Sequence, residues 1–202
     1  MEKSPVPVRL GSFTMDGVTA VAREPRLDEP LRGAAAAMRS ATESAEVTAA
    51  VRTMYKRVGL DPTKTRPSSE ALLRRVRRGE ELPRINCLVD VVNWCSLESQ
   101  LPFGLYDADQ IHGAVELRLG REGEEYAGIR KDTVHVARRL VLADDRGPFG
   151  NPTSDSARTM VTEKTVRVMV AVFAPDTFPQ GALDRVLETT RKRIAEYCVA
   201  VR

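Results

Sequence analysis

Two short stretches concentrate the side chains able to do chemistry. In the first, Arg84-Ile85-Asn86-Cys87-Leu88-Val89-Asp90-Val91-Val92-Asn93, the residues Asn86, Asp90 and Asn93 stand at i, i+4 and i+7. A helix there would put all three on one face. A face of amides and a carboxylate can bind a polar ligand such as an amino group; the plain alternative is a capping Asn followed by a surface Asp. The second stretch covers 143–159 and holds Asp144, Asn151, Thr153, Ser154, Asp155, Ser156, Arg158 and Thr159. Small polar loops offer N–H groups and hydroxyls to an oxyanion or a bound water. Turn chemistry alone also accounts for such residues, but irregular stretches this long inside a compact domain favour binding.

Other chemistries find little support. His112 and His135 are the only histidines, which argues against a multi-histidine metal site and weakens any Ser-His or Cys-His triad. Cys87, Cys95 and Cys198 are odd in number and form no C-x-x-C pair, so a reducing cytoplasm fits better than a disulfide framework or a zinc site. No phosphate loop, dinucleotide fingerprint or nucleophile elbow is present. Neither a metal nor a cofactor is therefore expected.

The elements that must position the two stretches follow from periodicity. Alternation at Val6, Val8, Leu10 and again at Val18, Ala20, Ala22 predicts short strands. Residues 27–60 read as helix, stopped by Gly59 and Pro62. A helix opening at Ser68 buries Leu72, Leu73 and Val76 and turns Arg74, Arg75, Arg77 and Arg78 outward. Residues 86–101 form the next helix, closed by Pro102. Strands are expected at 114–119, 134–136, 140–143 and 166–173, and a last amphipathic helix at 181–199. Helices, then strands, then a helix make an α+β domain whose sheet is covered by helices.

The chain has 202 residues at 22.3 kDa, 42% apolar and 29% charged, enough for a real core and too apolar for global disorder. Its longest clean apolar run, 168–174, is far too short to span a membrane, and no secretory leader follows Met1. Net charge is +3, unevenly spread: residues 51–84 carry ten Lys and Arg against four acids, whereas 104–132 leans acidic. Such polarity suits an anionic partner on one face, or a solvated arginine-rich surface.

Taken in order, Ile85-Asn86, Val89-Asp90, Asn93, Pro102, Asp107, Ile111, Arg118, Gly123-Glu124-Glu125, Leu142-Ala143-Asp144 and Val161-Thr162-Glu163-Lys164-Thr165 resemble the editing domain of the bacterial phenylalanyl-tRNA synthetase β subunit. The resemblance covers about 55–173, with the final helix following. It implies a three-layer α+β fold, β-sandwich-like sheets flanked by helices, with 1–50 as an N-terminal extension packed on an editing-type unit, 51–202. It implies hydrolysis of the ester joining a wrong amino acid to the tRNA 3′ end, with no cofactor.

The pocket implied lies between the Asn/Asp helix and the loop after Asp144. Asn86, Asp90, Asn93, Pro102, Gly104, Asp144, Asn151, Arg158 and Thr159 would bind substrate there, and Thr153, Ser154, Asp155 or Ser156 would hold the water. Arg66, Arg74, Arg75, Arg77 and Arg78 would contact tRNA phosphates. The partners implied are an aminoacylated tRNA 3′ end and an aminoacyl-tRNA synthetase in the cytoplasm, with no membrane and no DNA. Val92 stands where the family has Thr and Gly104 where it has His, and the family's Met-Gly-Gly loop with its nearby Ser-Glu becomes 150–158, with Ala157-Arg158 where the family's Glu would be; these changes point away from tyrosine as the amino acid removed. A non-catalytic tRNA or amino-acid-derivative binding module is the rival reading.

Overall fold

The computed structural model describes residues 6–41, 44–129 and 133–199; Met1–Pro5, where no leader is expected, lie outside them. In chain order the elements are β1 (Val8–Asp16), α1 (Asp28–Ser40), α2 (Ser44–Arg57), α3 (Ser68–Arg77), α4 (Cys87–Ser99), β2 (Phe103–Asp107), β3 (Glu116–Leu119), β4 (Glu125–Ala127), β5 (Thr133–His135), β6 (Leu140–Asp144), β7 (Gly147–Gly150), β8 (Arg167–Pro175) and α5 (Gln180–Tyr197). This is an α+β fold with antiparallel sheets of order β1-β8-β2, β3-β6-β7 and β4-β5.

The unbroken apolar run of β8 explains its central place. Val168 to Ala174 are all buried, so neither face alternates with polar residues as a solvent-facing strand would. β1 pairs with it over nine residues, from Val8 opposite Pro175 to Asp16 opposite Arg167. β2 covers the other edge, with Phe103 opposite Val172. α5 lies against β1 so closely that a methyl group on Gly11 would sit 2.9 Å from Leu187 Cδ1. Leu140, Leu142 and Phe149 of the second sheet join the same core. α4 is buried on most sides, through Leu88, Val91, Val92, Cys95 and Leu97.

Several boundaries differ from the periodicity reading. The helix expected over 27–60 is two helices, because Ala41 adopts an extended backbone that ends α1. Residues 18–22 form no strand; Val18 makes only a bridge to Val199. α4 begins after Asn86 and stops at Ser99, where buried Gln100 turns left-handed at φ 58°. The 143–159 stretch is not an open loop: it holds β7 and a 3-10 turn at Ala157–Thr159.

Phe173 is fully buried in the central strand. Truncation to Ala is expected to cost about 3–5 kcal/mol, read by urea unfolding, and to leave the denaturant slope unchanged.

Candidate functional site

Beneath α4 lies a cavity of about 520 Å³. α4 supplies Val89, Val92, Asn93 and Ser96, the i, i+3, i+4, i+7 face of a helix. β2 adds Phe103 and Leu105, whose side chains alternate with Gly104 and Tyr106 on the opposite face. The loop after β7 adds Asn151, Pro152, Thr153 and Asp155, and the rim is closed by Ser68, Ile129, Met160, Thr162 and Glu163. Asn86 and Asn93 of the first stretch and Asn151, Thr153 and Asp155 of the second therefore share one hollow. Among the described residues no Lys, Arg or His lines it, while Asp155 and Glu163 do, so the field they set inside favours a cation such as an ammonium. Half-buried Asn93 makes no side-chain hydrogen bond among the described residues, so its amide is available to a ligand.

The loop is shaped locally. Asn151 Oδ1 accepts from the N–H groups of Thr153 and Ser154 at 2.8 and 2.9 Å, an Asx turn. A bridge between Gly150 and Asp155 closes it. Tyr55 and Tyr126 donate their hydroxyls to the carbonyls of Pro152 and Ser154, at 2.7 and 2.5 Å. The Thr153 hydroxyl, next to that of Tyr55, is buried without a hydrogen-bond partner of good geometry. Asp155 is enclosed by protein except where it opens onto the cavity, and accepts from the Tyr106 hydroxyl at 2.8 Å. Burial pushes its carboxyl up to about 7, against the pull of the Tyr106 hydroxyl and the Leu105 N–H.

A profile of the B3/4 domain matches residues 50–190, about seven-tenths of the chain. The chain belongs to the B3/4 domain family. Similar proteins include the "Phenylalanine--tRNA ligase beta subunit" of Cutibacterium acnes, 35% identical over 115 residues, and that of Neisseria meningitidis serogroup A, 32% identical over 96 residues. These alignments cover 55% and 46% of this chain, and the chain spans only 14% and 12% of those relatives. An N-terminal fragment of the phenylalanyl-tRNA synthetase β-subunit from Pyrococcus horikoshii superposes with a TM-score of 0.44 at 16% identity, over 55% of this chain and 40% of that one, a likeness too slight to add to the assignment.

In this B3/4 domain several residues expected in the pocket serve the frame instead. Asp90 is buried away from the cavity, accepting from Arg84 Nε at 2.6 Å and the Ile85 N–H at 2.8 Å. The helical spacing misled because Asn86 is extended, at φ −157°, and caps α4 by accepting from the Val89 N–H; the face is counted from Val89. Asp144 forms a two-pronged pair with Arg158, at 2.9 Å on each prong, and accepts from the N–H groups of His112 and Arg146. Burial raises its pKa, but these bonds outweigh burial and hold it below the usual carboxylate range. Arg158 thus clamps the 3-10 turn to the end of β6. Ser156 caps that turn, and Thr159 is wholly buried. Pro102 is buried, with its carbonyl accepting from the Phe173 N–H. Gly104 lies under the Tyr106 ring, and Ser154 contributes its carbonyl to Tyr126 rather than a side chain to the wall.

Of the five arginines proposed for tRNA, Arg74, Arg75 and Arg77 lie in α3, Arg78 caps its end and Arg66 precedes it; its first residue, Ser68, is at the cavity rim. Arg74, Arg77 and Arg78 border an open groove between α2 and α3, roughly 9–15 Å further along the helix by its rise per residue. Arg66 and Arg52 pair with Glu70, Arg75 with Glu80 and the Glu81 carbonyl, and Arg78 with Glu80. The pocket reading missed the apolar wall and the rim residues Thr162 and Glu163, of which Glu163 is the acid; Met160 and Val161 before them were the available signal. The described residues bring together no three His, Cys, Asp or Glu able to hold a metal.

Asp90→Ala leaves Arg84, itself mostly buried, short of a partner. The variant is expected to lose about 2–4 kcal/mol in chemical denaturation, whereas Asn93→Ala loses well under about 1 kcal/mol.

Proposed function

We propose that this B3/4 domain hydrolyses the ester of a mischarged aminoacyl-tRNA, acting in trans in the cytoplasm on the tRNA 3′ end. The observation that carries the reading is Asp155, a carboxylate held by the Tyr106 hydroxyl and opening into a hollow that otherwise offers amides, hydroxyls, apolar wall and, at its rim, Glu163; burial pushes the Asp155 carboxyl up to about 7. The matched family and its synthetase β-subunit relatives support the same class of substrate. A synthetase is the natural source of that substrate.

In this scheme Asp155 accepts a proton from water as the water oxygen bonds to the ester carbonyl carbon. The tetrahedral intermediate collapses with cleavage of the bond to the ribose oxygen. The proton on Asp155 passes to that oxygen, leaving a free amino acid and a tRNA with its terminal hydroxyl restored. Asn93 and the Thr153 hydroxyl donate to the developing oxyanion. Glu163 at the rim attracts the α-ammonium. Val92, Phe103 and Leu105 hold the side chain, so discrimination works by size and polarity in an uncharged sieve. Arg74, Arg77 and Arg78 take phosphates outside the cavity and add affinity without sequence choice.

The test is deacylation of a panel of mischarged tRNAs, corrected for uncatalysed loss at each pH. The wild type should cleave at least one member, with kcat/KM rising through a midpoint near pH 7 as Asp155 ionises. Asp155→Asn should lower kcat by about 10²–10⁴-fold. Binding of the whole panel without turnover would replace this reading with a non-catalytic module.

The same substitution has a stability signature. The folded carboxyl titrates above its unfolded value of 3.8, so its contribution is full below that value and is lost as pH rises past 7. At pH 8 Asp155→Asn should therefore be more stable than wild type by about 1–3 kcal/mol, discounted from the full shift because the group opens onto the cavity. Below pH 4 the two should unfold alike.

Reversing Arg74 and Arg78 to Glu should raise KM several-fold and flatten its dependence on salt, with kcat unchanged. An unchanged KM would return α3 to a solvated surface.

A further inference from the structure

Behind the cavity wall, Tyr106 is fully buried, and its position is set by two glycines. A methyl group on Gly104 would collide with the hydroxyl and the Cε2 edge of its ring, and one on Gly150 with the hydroxyl and the Cε1 edge. The phenol is thus gripped by both edges, between β2 and the end of β7. Phe149 packs edge-on against it, with ring centroids 5.0 Å apart and planes at 88°. The hydroxyl meets the loop, where it donates to Asp155 Oδ1 at 2.8 Å. Tyr106 does not itself line the cavity.

We infer that Tyr106, seated in a slot that only glycine at 104 and 150 leaves open, is the positioning residue that holds Asp155 by Oδ1 and fixes how its carboxylate faces the cavity. The inference rests on the hydrolytic reading above and adds the part that makes the carboxylate usable. A carboxylate free to rotate would spread its lone pairs over many directions. One anchored by a rigid donor keeps a fixed orientation toward the cavity. The bond also favours the ionised form and so keeps Asp155 from being driven further upward by burial. The groups facing Asp155 are Tyr106 and the Leu105 N–H from β2, Tyr126 from β4 and, across the cavity, Glu163. Among the described residues none of these is a cation, and the two hydrogen bonds support the charge.

The test compares Tyr106→Phe, which keeps the ring in its slot, with wild type and Asp155→Asn. Two readouts are the pH profile of deacylation and the carbon-13 titration of Asp155 in the free protein. Tyr106→Phe should lower kcat about ten- to a hundredfold with KM within about twofold. Its pH midpoint and the Asp155 titration should both move up by about one unit. Gly104→Ala, checked for folding by circular dichroism, should reproduce the upward shift by displacing the phenol. If Tyr106→Phe keeps the wild-type midpoint and titration while Asp155→Asn is inactive, Tyr106 merely packs, and the inference fails with the hydrolytic reading intact. If the wild type deacylates nothing, that reading fails, and the carbon-13 titration still decides whether Tyr106 supports the charge.

Discussion

A carboxylate kept inside a largely apolar hollow is costly, and the arrangement around Asp155 is a response to that cost. Desolvation pulls the proton on; the Tyr106 hydroxyl and the Leu105 N–H pull it off, and the balance falls near neutrality. Both donors come from β2, which is why β2 must lie flush against the loop after β7. That proximity in turn demands glycine at 104 and 150, and the Asx turn at Asn151 brings the chain back sharply enough for Asp155 to bridge to Gly150. The remainder of the fold keeps α4 and this loop facing each other.

Two ionic clamps hold those walls at a distance from the cavity. Asp90 ties the entry of α4 to Arg84, and through it to Asp28 at the start of α1. Asp144 ties the end of β6 to Arg158 and so fixes the far end of the loop. Both pairs are mostly or wholly withdrawn from solvent, where a lone charge is far more expensive than a matched pair. Asp90 and Asp144 are thus paired with arginine, whereas Asp155, at the cavity, is held by neutral donors.

That division was partly legible in the sequence. The helical stripe and the hydroxyl-rich segment were both visible, and they do meet in one hollow through Asn86, Asn93, Asn151, Thr153 and Asp155. The central strand announced itself as an unbroken apolar run, and α5 by its helical period. What periodicity could not supply was the phase of α4, because a single extended capping residue, Asn86, offsets the count and sends Asp90 to the other side. Nor could it separate Asp144 from Asp155, since the difference lies in which long-range partner each meets, Arg158 or Tyr106. β2 and β7 were missed because Gly104, Gly147 and Gly150 dilute the apolar alternation, although those near Tyr106 are the positions its ring requires. The N-terminal part reads as an extension packed on the body within one compact unit, and β1 is an edge strand of the central sheet along its whole length.

The account turns on one hollow receiving the aminoacyl end of a tRNA against Asp155. The most direct measurement is a crystal structure with a non-hydrolysable 3′-aminoacylamido adenosine. The account predicts its carbonyl carbon within reach of a water held on the Asp155 carboxylate, its ammonium toward Glu163 and its side chain against Val92 and Leu105. An analogue seated elsewhere on the domain, with this cavity holding only solvent, would contradict it.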